Sequence, residues 1–201
     1  FKSVYQIGDQ QFSALLKAIE EGVAISPSFS LDNLLADLYT QDTQSSLSVA
    51  SKLEPFIKSK PFKALDSDAW AEMLTSKQNH VHVLQLAGVA REIQKLITEF
   101  VLWDLYAFAC SNGSKNKPIP IVLDEIQNLD HGSDSPIDKM LREGRKFGLS
   151  LILATQTTSN FNQEQRDRLF QASHKLFFKP ANTEVSAFAD ILSKATQTPK
   201  K

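Results

Sequence analysis

The sequence predicts an α/β protein with a mostly parallel sheet, and three observations predict it. Two short runs, "IPIVL" and "LSLIL", are almost wholly apolar and rich in branched side chains. From about residue 80 onward, such runs alternate with stretches whose apolar residues recur at helical spacing. Before residue 80 the spacing is helical throughout. Strands that alternate with helices and lack a polar face belong in a sheet covered by helices on both faces.

The elements follow in chain order. A first helix is predicted from Gln11 to Glu21, where Phe12, Leu15, Leu16 and Ile19 share one face. A second spans Leu31 to Tyr39 behind the cap residue Ser30, and a third runs from about Thr43 to Ser59. Ser67 to Thr75 predicts a fourth, with Trp70, Met73 and Leu74 to one side. No strand is predicted here, so residues 1–79 read as an all-α region. In residues 80–201, "VHVLQLAG" (Val81 to Gly88) predicts a strand. Val89 to Ala109 predicts a helix with a wide apolar face of Ile93, Leu96, Ile97, Phe100, Val101 and Trp103. "IPIVLD" predicts the next strand, "SPIDKMLREGRKFG" a helix, and Leu149 to Thr155 another strand. A short helix at Gln163 to Gln171, a strand at His174 to Lys179 and a helix from Thr183 to Lys194 complete the pattern.

Composition limits the function classes. Twenty-two basic residues against 23 acidic ones leave a net charge of -1. No global field draws in nucleic acid or anionic lipid, so any such contact is local. The lone Cys110 excludes an intramolecular disulfide framework and a cysteine-based zinc site, and it fits a reducing, cytoplasmic location. No signal peptide and no apolar run of about 20 residues is present, so no membrane is expected. The chain begins at Phe1 rather than Met, which reads as a processed product or an excised piece.

In open α/β sheets ligands bind outside the carboxyl ends of the strands. Asp124 and Glu125 fall at such an end, and Thr155 and Gln156 fall at the end of the neighbouring apolar strand. A carboxylate there can hold Mg²⁺ through water, and a second beside it can orient or deprotonate an attacking water. Gln156 would reach the same crevice and sense a γ-phosphate or position water. The plainer alternative is that the acidic pair caps the following helix. Other residues have plain readings too. His80 and His82 alternate along a strand start but have no third ligand to make a metal site. His131 and Asp134 lie in the loop after the acidic pair, where a solvated turn competes with substrate contact, and His174 opens a strand. Ser, His and Asp occur without a G-x-S-x-G elbow, which argues against a hydrolase triad. Gly144 and Gly148 match G-x-x-x-G, but charged flanks exclude a membrane reading.

Taken together, "IPIVLDEIQNL" and, after it, "LREGRKFGLSLILATQ" resemble the Walker B and following-strand region of the HerA/FtsK superfamily of P-loop motor ATPases. "VHVLQLAG" with "REIQKLITEFVLWDL" is similar to the segment before Walker B in HerA-like proteins. The likeness covers roughly residues 80 to 192. It implies a RecA-like P-loop core preceded by a helical insertion, with ATP and Mg²⁺ as cofactors. Asp124 would be the magnesium-side carboxylate and Glu125 the catalytic base. Gln156 would be the polar sensor, with Thr155 beside it lining the nucleotide. Arg145 falls where coupling-type members carry an arginine finger, with Arg142, then Arg166 and Arg168, as second choices. Against that, Lys139, Arg142, Arg145 and Lys146 also suit the solvated face of a helix that buries Ile137, Met140, Leu141 and Gly144.

One part of the family pattern is missing. The phosphate-cradling G-x-x-x-x-G-K-[ST] does not occur, and "NGSKNKP" (Asn112 to Pro118) lacks its spacing. The expectation is therefore the C-terminal part of an ATPase domain, without the first strand and phosphate loop, and inactive alone. The resemblance further implies a DNA translocase working as a ring, usually of six copies, with nuclease or defence-complex subunits as partners. HerA-like ATPases of bacterial restriction and repair, phosphorothioation-dependent restriction among them, suit the sequence better than membrane-anchored coupling proteins. A non-enzymatic scaffold built on a decayed P-loop domain is the competing expectation.

Overall fold

The computed structural model describes residues 1–62, 69–75, 81–133, 135–179 and 182–196. The chain is mixed α/β and mostly helical, and it divides into two compact units, Phe1–Val101 and Leu102–Lys201.

The first unit is helical. It contains α1 (Lys2–Tyr5), α2 (Asp9–Ile25), α3 (Leu31–Thr40), α4 (Gln44–Lys58), α5 (Ala69–Thr75) and the first half of α6 (Arg91–Asn112). Side-chain caps fix two of the starts. Ser30 Oγ accepts from Asn33 N–H at 3.2 Å while Ser30 N–H donates back to Asn33 Oδ1 at 3.1 Å. Thr43 and Ser46 repeat the exchange at the start of α4, at 3.1 and 3.0 Å. Such reciprocal caps satisfy amide groups that a helix end leaves without partners. Gly22 lets α2 turn toward α3, because a Cβ there would lie 2.2 Å from the Phe29 ring.

Leu15, Leu38, Val49, Leu53 and Phe56 form the centre of the core, and Leu96 and Ile97 of α6 join them. Phe56 stacks on Phe100 at 5.9 Å and meets Phe1 edge-on at 5.8 Å. This packing explains why the predicted strand Val81 to Gly88 is not one. Leu86 packs against the helical core. The carbonyls of Leu86 and Val89 accept the Gln94 side-chain amide at 3.0 and 2.7 Å. Val81 and Val83 lie in solvent, and residues 81–86 pair with no strand among the described residues. Alternation of apolar residues cannot by itself hold a strand that lacks a ladder partner.

In the second unit β1 (Ile119–Leu123) and β2 (Leu149–Leu153) form a two-stranded parallel sheet, in register from Ile119↔Leu149 to Leu123↔Leu153. The crossover between them carries a 3₁₀ turn (Ile126–Asn128), α7 (Pro136–Glu143) and a second 3₁₀ turn (Gly144–Phe147). Ser135 caps α7, accepting from Asp138 N–H at 3.2 Å, and Pro136 occupies the first turn, where its missing N–H costs nothing. The predicted single helix "SPIDKMLREGRKFG" thus tightens at Gly144, which brings its backbone close enough that a Cβ would lie 3.1 Å from Leu149 Cβ. Gly148 ends the turn at φ 79, where an added Cβ would meet Ser114 O at 2.3 Å. Then come α8 (Gln163–Leu169) and α9 (Val185–Thr196).

Two further expectations are corrected here. The sheet is covered on one face only: Ile121 and Leu149 are buried, whereas Val122 and its register partner Ile152 are 67% and 56% exposed on the other. His174 to Lys179 also forms no strand. Leu176 and Phe178 stand in solvent, while Phe177 turns its ring against Phe188 of α9 at 5.0 Å. In each case the apolar pattern is present and the covering element or ladder partner is absent among the described residues.

Candidate active site

The parallel ladder continues past both strands. Ala154 N–H donates to Leu123 O at 2.9 Å and Ile126 N–H to Ala154 O at 3.1 Å. Between those bonds the chain fits Asp124 and Glu125 by turning Glu125 into left-handed backbone, φ 53 and ψ 41. A residue with a Cβ crowds the next carbonyl there, at a cost of about 1 kcal/mol or more. The turn buries Ile126 and leaves both carboxylates at the sheet edge, Asp124 exposed and Glu125 half-buried. Asp124 does not cap a helix with its side chain. Its Oδ1 accepts the adjacent Glu125 N–H at 2.9 Å.

Glu125 is gripped from two sides. Gln156, just beyond β2, donates its Nε2 to Glu125 Oε1, and Gln127 donates its Nε2 to Glu125 Oε2. The pair expected at the two strand ends is thus in contact. A carboxylate has about four acceptor positions, so two remain for water. Thr155 Oγ1 lies 2.6 Å from Gln127 Oε1 and 2.7 Å from Thr157 O, with one proton to share between them. Thr155 therefore orients the amide that orients Glu125. Gln127 carried no signal in the sequence, since only the turn around Glu125 swings its side chain back.

A second carboxylate braces the loop after β2. Glu184 is 8% exposed, and its Oε1 accepts from Thr158 N–H (2.8 Å), Ser159 N–H (3.1 Å) and the hydroxyls of Thr157 and Thr158 (both 3.0 Å). Burial raises its pKa. The bonds from the Thr158 amide, the two threonine hydroxyls and the Ser159 amide outweigh that effect and hold the group below the usual glutamate value. Glu184 sits in the stretch read as the start of the last helix, where an acidic residue looks like an ordinary cap. Nothing in the sequence distinguished it.

The remaining candidates fall elsewhere. Arg142 pairs with the buried Asp138 at 2.7 Å, and Arg168 pairs with Asp138 and, at 3.0 Å, with Glu164. Arg166 is half-buried. Arg145 is exposed in the 3₁₀ turn before β2, at the opposite end of the sheet from Glu125, about 15 Å away for five-residue strands. His131 holds the turn after Glu125: its Nε2 lies 2.6 Å from Ile126 O, and its ring meets Phe161 edge-on at 4.7 Å. His82 and His174 are exposed, and His80 and Asp134 lie outside the described residues.

Among the described residues no three His, Cys, Asp or Glu side chains come together as a metal cage. The acidic edge suits a different mode. Mg²⁺ keeps most of its waters and takes one or two carboxylates plus substrate phosphates, and Asp124, exposed with one oxygen engaged by Glu125 N–H, fits that role. No described helix is long and apolar enough to cross a membrane. Comparison with known proteins finds no matching family model, no matching curated relative and no matching solved structure.

Proposed function

We propose that the acidic edge of the sheet is the hydrolytic half of an ATPase site in a DNA-translocating motor of the HerA/FtsK type. The observation that carries the reading is the clamp on Glu125. A glutamate placed in unfavourable left-handed backbone, at the carboxyl end of a parallel strand, has both carboxylate oxygens held by amides, one of them from the next strand. Left-handed backbone of this kind also occurs at the exposed residues Gln6, Asp42 and Lys60. At Glu125 it coincides with a clamped carboxylate at a strand end, the combination that strained backbone shows at active sites.

In this reading Asp124 is the residue that would hold Mg²⁺, which would supply charge neutralisation at the phosphates of ATP. Glu125 accepts a proton from the attacking water at one of the two acceptor positions that the amides leave open. Gln156 keeps the base aimed and lies where a γ-phosphate would be sensed, with Thr155 behind it. These 201 residues hold no G-x-x-x-x-G-K-[ST], so this reading requires a phosphate loop supplied from elsewhere. Arg145, too distant for its own site, serves a neighbouring subunit in a ring, usually of six in this superfamily. DNA and nuclease or defence subunits are the partners.

The test is ATP turnover in the full protein that carries the phosphate loop. Glu125→Gln keeps the size and loses the basicity, so turnover should fall by at least about 10²-fold with nucleotide binding nearly unchanged. Wild-type turnover in that variant would remove Glu125 from the chemistry. The absence of G-x-x-x-x-G-K-[ST] favours a second reading, a scaffold that assembles a DNA-processing complex without hydrolysis. That reading requires the full protein to show no turnover at all.

A further inference from the structure

Glu184 is a buried carboxylate that the proposed chemistry does not use. Its own main chain stands at the start of α9, where its carbonyl accepts Phe188 N–H at 3.1 Å. Instead of capping that helix, the side chain crosses to a loop 25 to 27 residues earlier and takes four hydrogen bonds on one oxygen. Burying a carboxylate is costly unless such bonds replace its water. The Thr158 and Ser159 amides converge on it as a nest converges on an anion. The loop therefore holds this shape because Glu184 Oε1 is there to accept those bonds.

Thr157 links that loop to the acidic edge. Its hydroxyl bonds Glu184 at 3.0 Å and its carbonyl lies 2.7 Å from Thr155 Oγ1. Thr155 Oγ1 in turn bonds Gln127 Oε1 at 2.6 Å, and Gln127 Nε2 holds Glu125. The Thr155 proton has two competing acceptors, so the position of the Thr157 carbonyl decides how strongly Gln127 is held.

We propose that Glu184 is a positioning residue for Glu125, acting from the start of α9 through Thr157, Thr155 and Gln127. The proposal rests on the reading of Glu125 as the base. It gives α9 a mechanical connection to the site: a partner that draws Val185 and its helix away from the loop slackens the clamp on Glu125.

Two measurements test it. In the full protein with its phosphate loop, Glu184→Ala lowers kcat by about 10- to 100-fold with KM for ATP unchanged. Glu184→Gln, which keeps the acceptor oxygen, recovers most of that loss. In a Thr155→Val background, where the chain of bonds is already cut, Glu184→Ala adds no further loss. Wild-type kcat in Glu184→Ala alongside a dead Glu125→Gln overturns the positioning role and leaves the base assignment standing. Full turnover in Glu125→Gln overturns the base instead. The second measurement needs no turnover. In the 201-residue chain, the Gln127 side-chain amide signals in nitrogen-15 NMR move in Glu184→Ala and return in Glu184→Gln. In the Thr155→Val background the Glu184→Ala change leaves them unmoved. Gln127 signals that ignore Glu184, or that follow it equally without the Thr155 hydroxyl, overturn the connection.

Discussion

Glu125 occupies backbone that glycine would occupy more cheaply, and this makes its purpose testable without any assay of activity. If the side chain is there for chemistry, Glu125→Gly removes strain and the fold gains about 1 kcal/mol. A urea titration that follows the second unit should place the variant's midpoint above that of the wild type. A clear loss would mean that the hydrogen bonds from Gln127 and Gln156 stabilise the fold more than the backbone costs, and Glu125 would then be a structural residue. At this scale the sequence places Asp124 and Glu125 at one strand end and Gln156 at the next, because apolar runs that end in polar residues mark a sheet edge; the bond between Gln156 and Glu125 is seen only in the structure. It could not identify Gln127. Its role depends on a single φ angle that no residue type near it announces.

At the scale of elements, the loop after β2 is braced by a buried carboxylate, and part of its stability should follow that group's ionisation. Glu184 has a folded pKa below the ordinary glutamate value. A lowered carboxylate pKa stabilises the fold fully above the unfolded value, and the contribution is lost as pH falls through the folded value. The thermal midpoint of the second unit should therefore decline on acidification below about pH 4.3, and Glu184→Gln should flatten that part of the profile. An unchanged acid limb in the variant would assign the decline to other carboxylates. The helices were legible because caps and apolar faces are local: Ser30, Thr43 and Ser135 begin their helices where the sequence placed them. The two runs "IPIVL" and "LSLIL" were legible as strands because each finds the other in register. "VHVLQLAG" and "HKLFFK" carry the apolar pattern of strands but form none, because a strand is a property of a pair. Leu86 packs on helices instead, and Phe177 on α9.

At the scale of the whole molecule, the two ends of one small sheet carry different tasks in the proposed motor. The carboxyl end holds the base, and the amino end exposes Arg145, which has no carboxylate partner among the described residues. Arg142 and Arg168 are engaged by Asp138, so they begin with a competing ion pair that Arg145 lacks. A residue about 15 Å from its own site can contribute to hydrolysis only across a subunit boundary, where a finger supplied in trans is worth about 10³ to 10⁵ in rate. In the full protein Arg145→Ala should cut turnover by a factor in that range with ATP binding nearly intact. A ring built from head-to-tail interfaces makes a sharper test, since each site joins the base of one subunit to the finger of the next. Mixing Arg145→Ala with Glu125→Gln subunits leaves roughly a quarter of the interfaces with both groups intact under random assembly, so part of the lost activity returns although each variant alone is inactive. A solvated arginine predicts the opposite pair of results. Arg145→Ala would then turn over at nearly the wild-type rate, and mixing would only dilute the dead Glu125→Gln subunits.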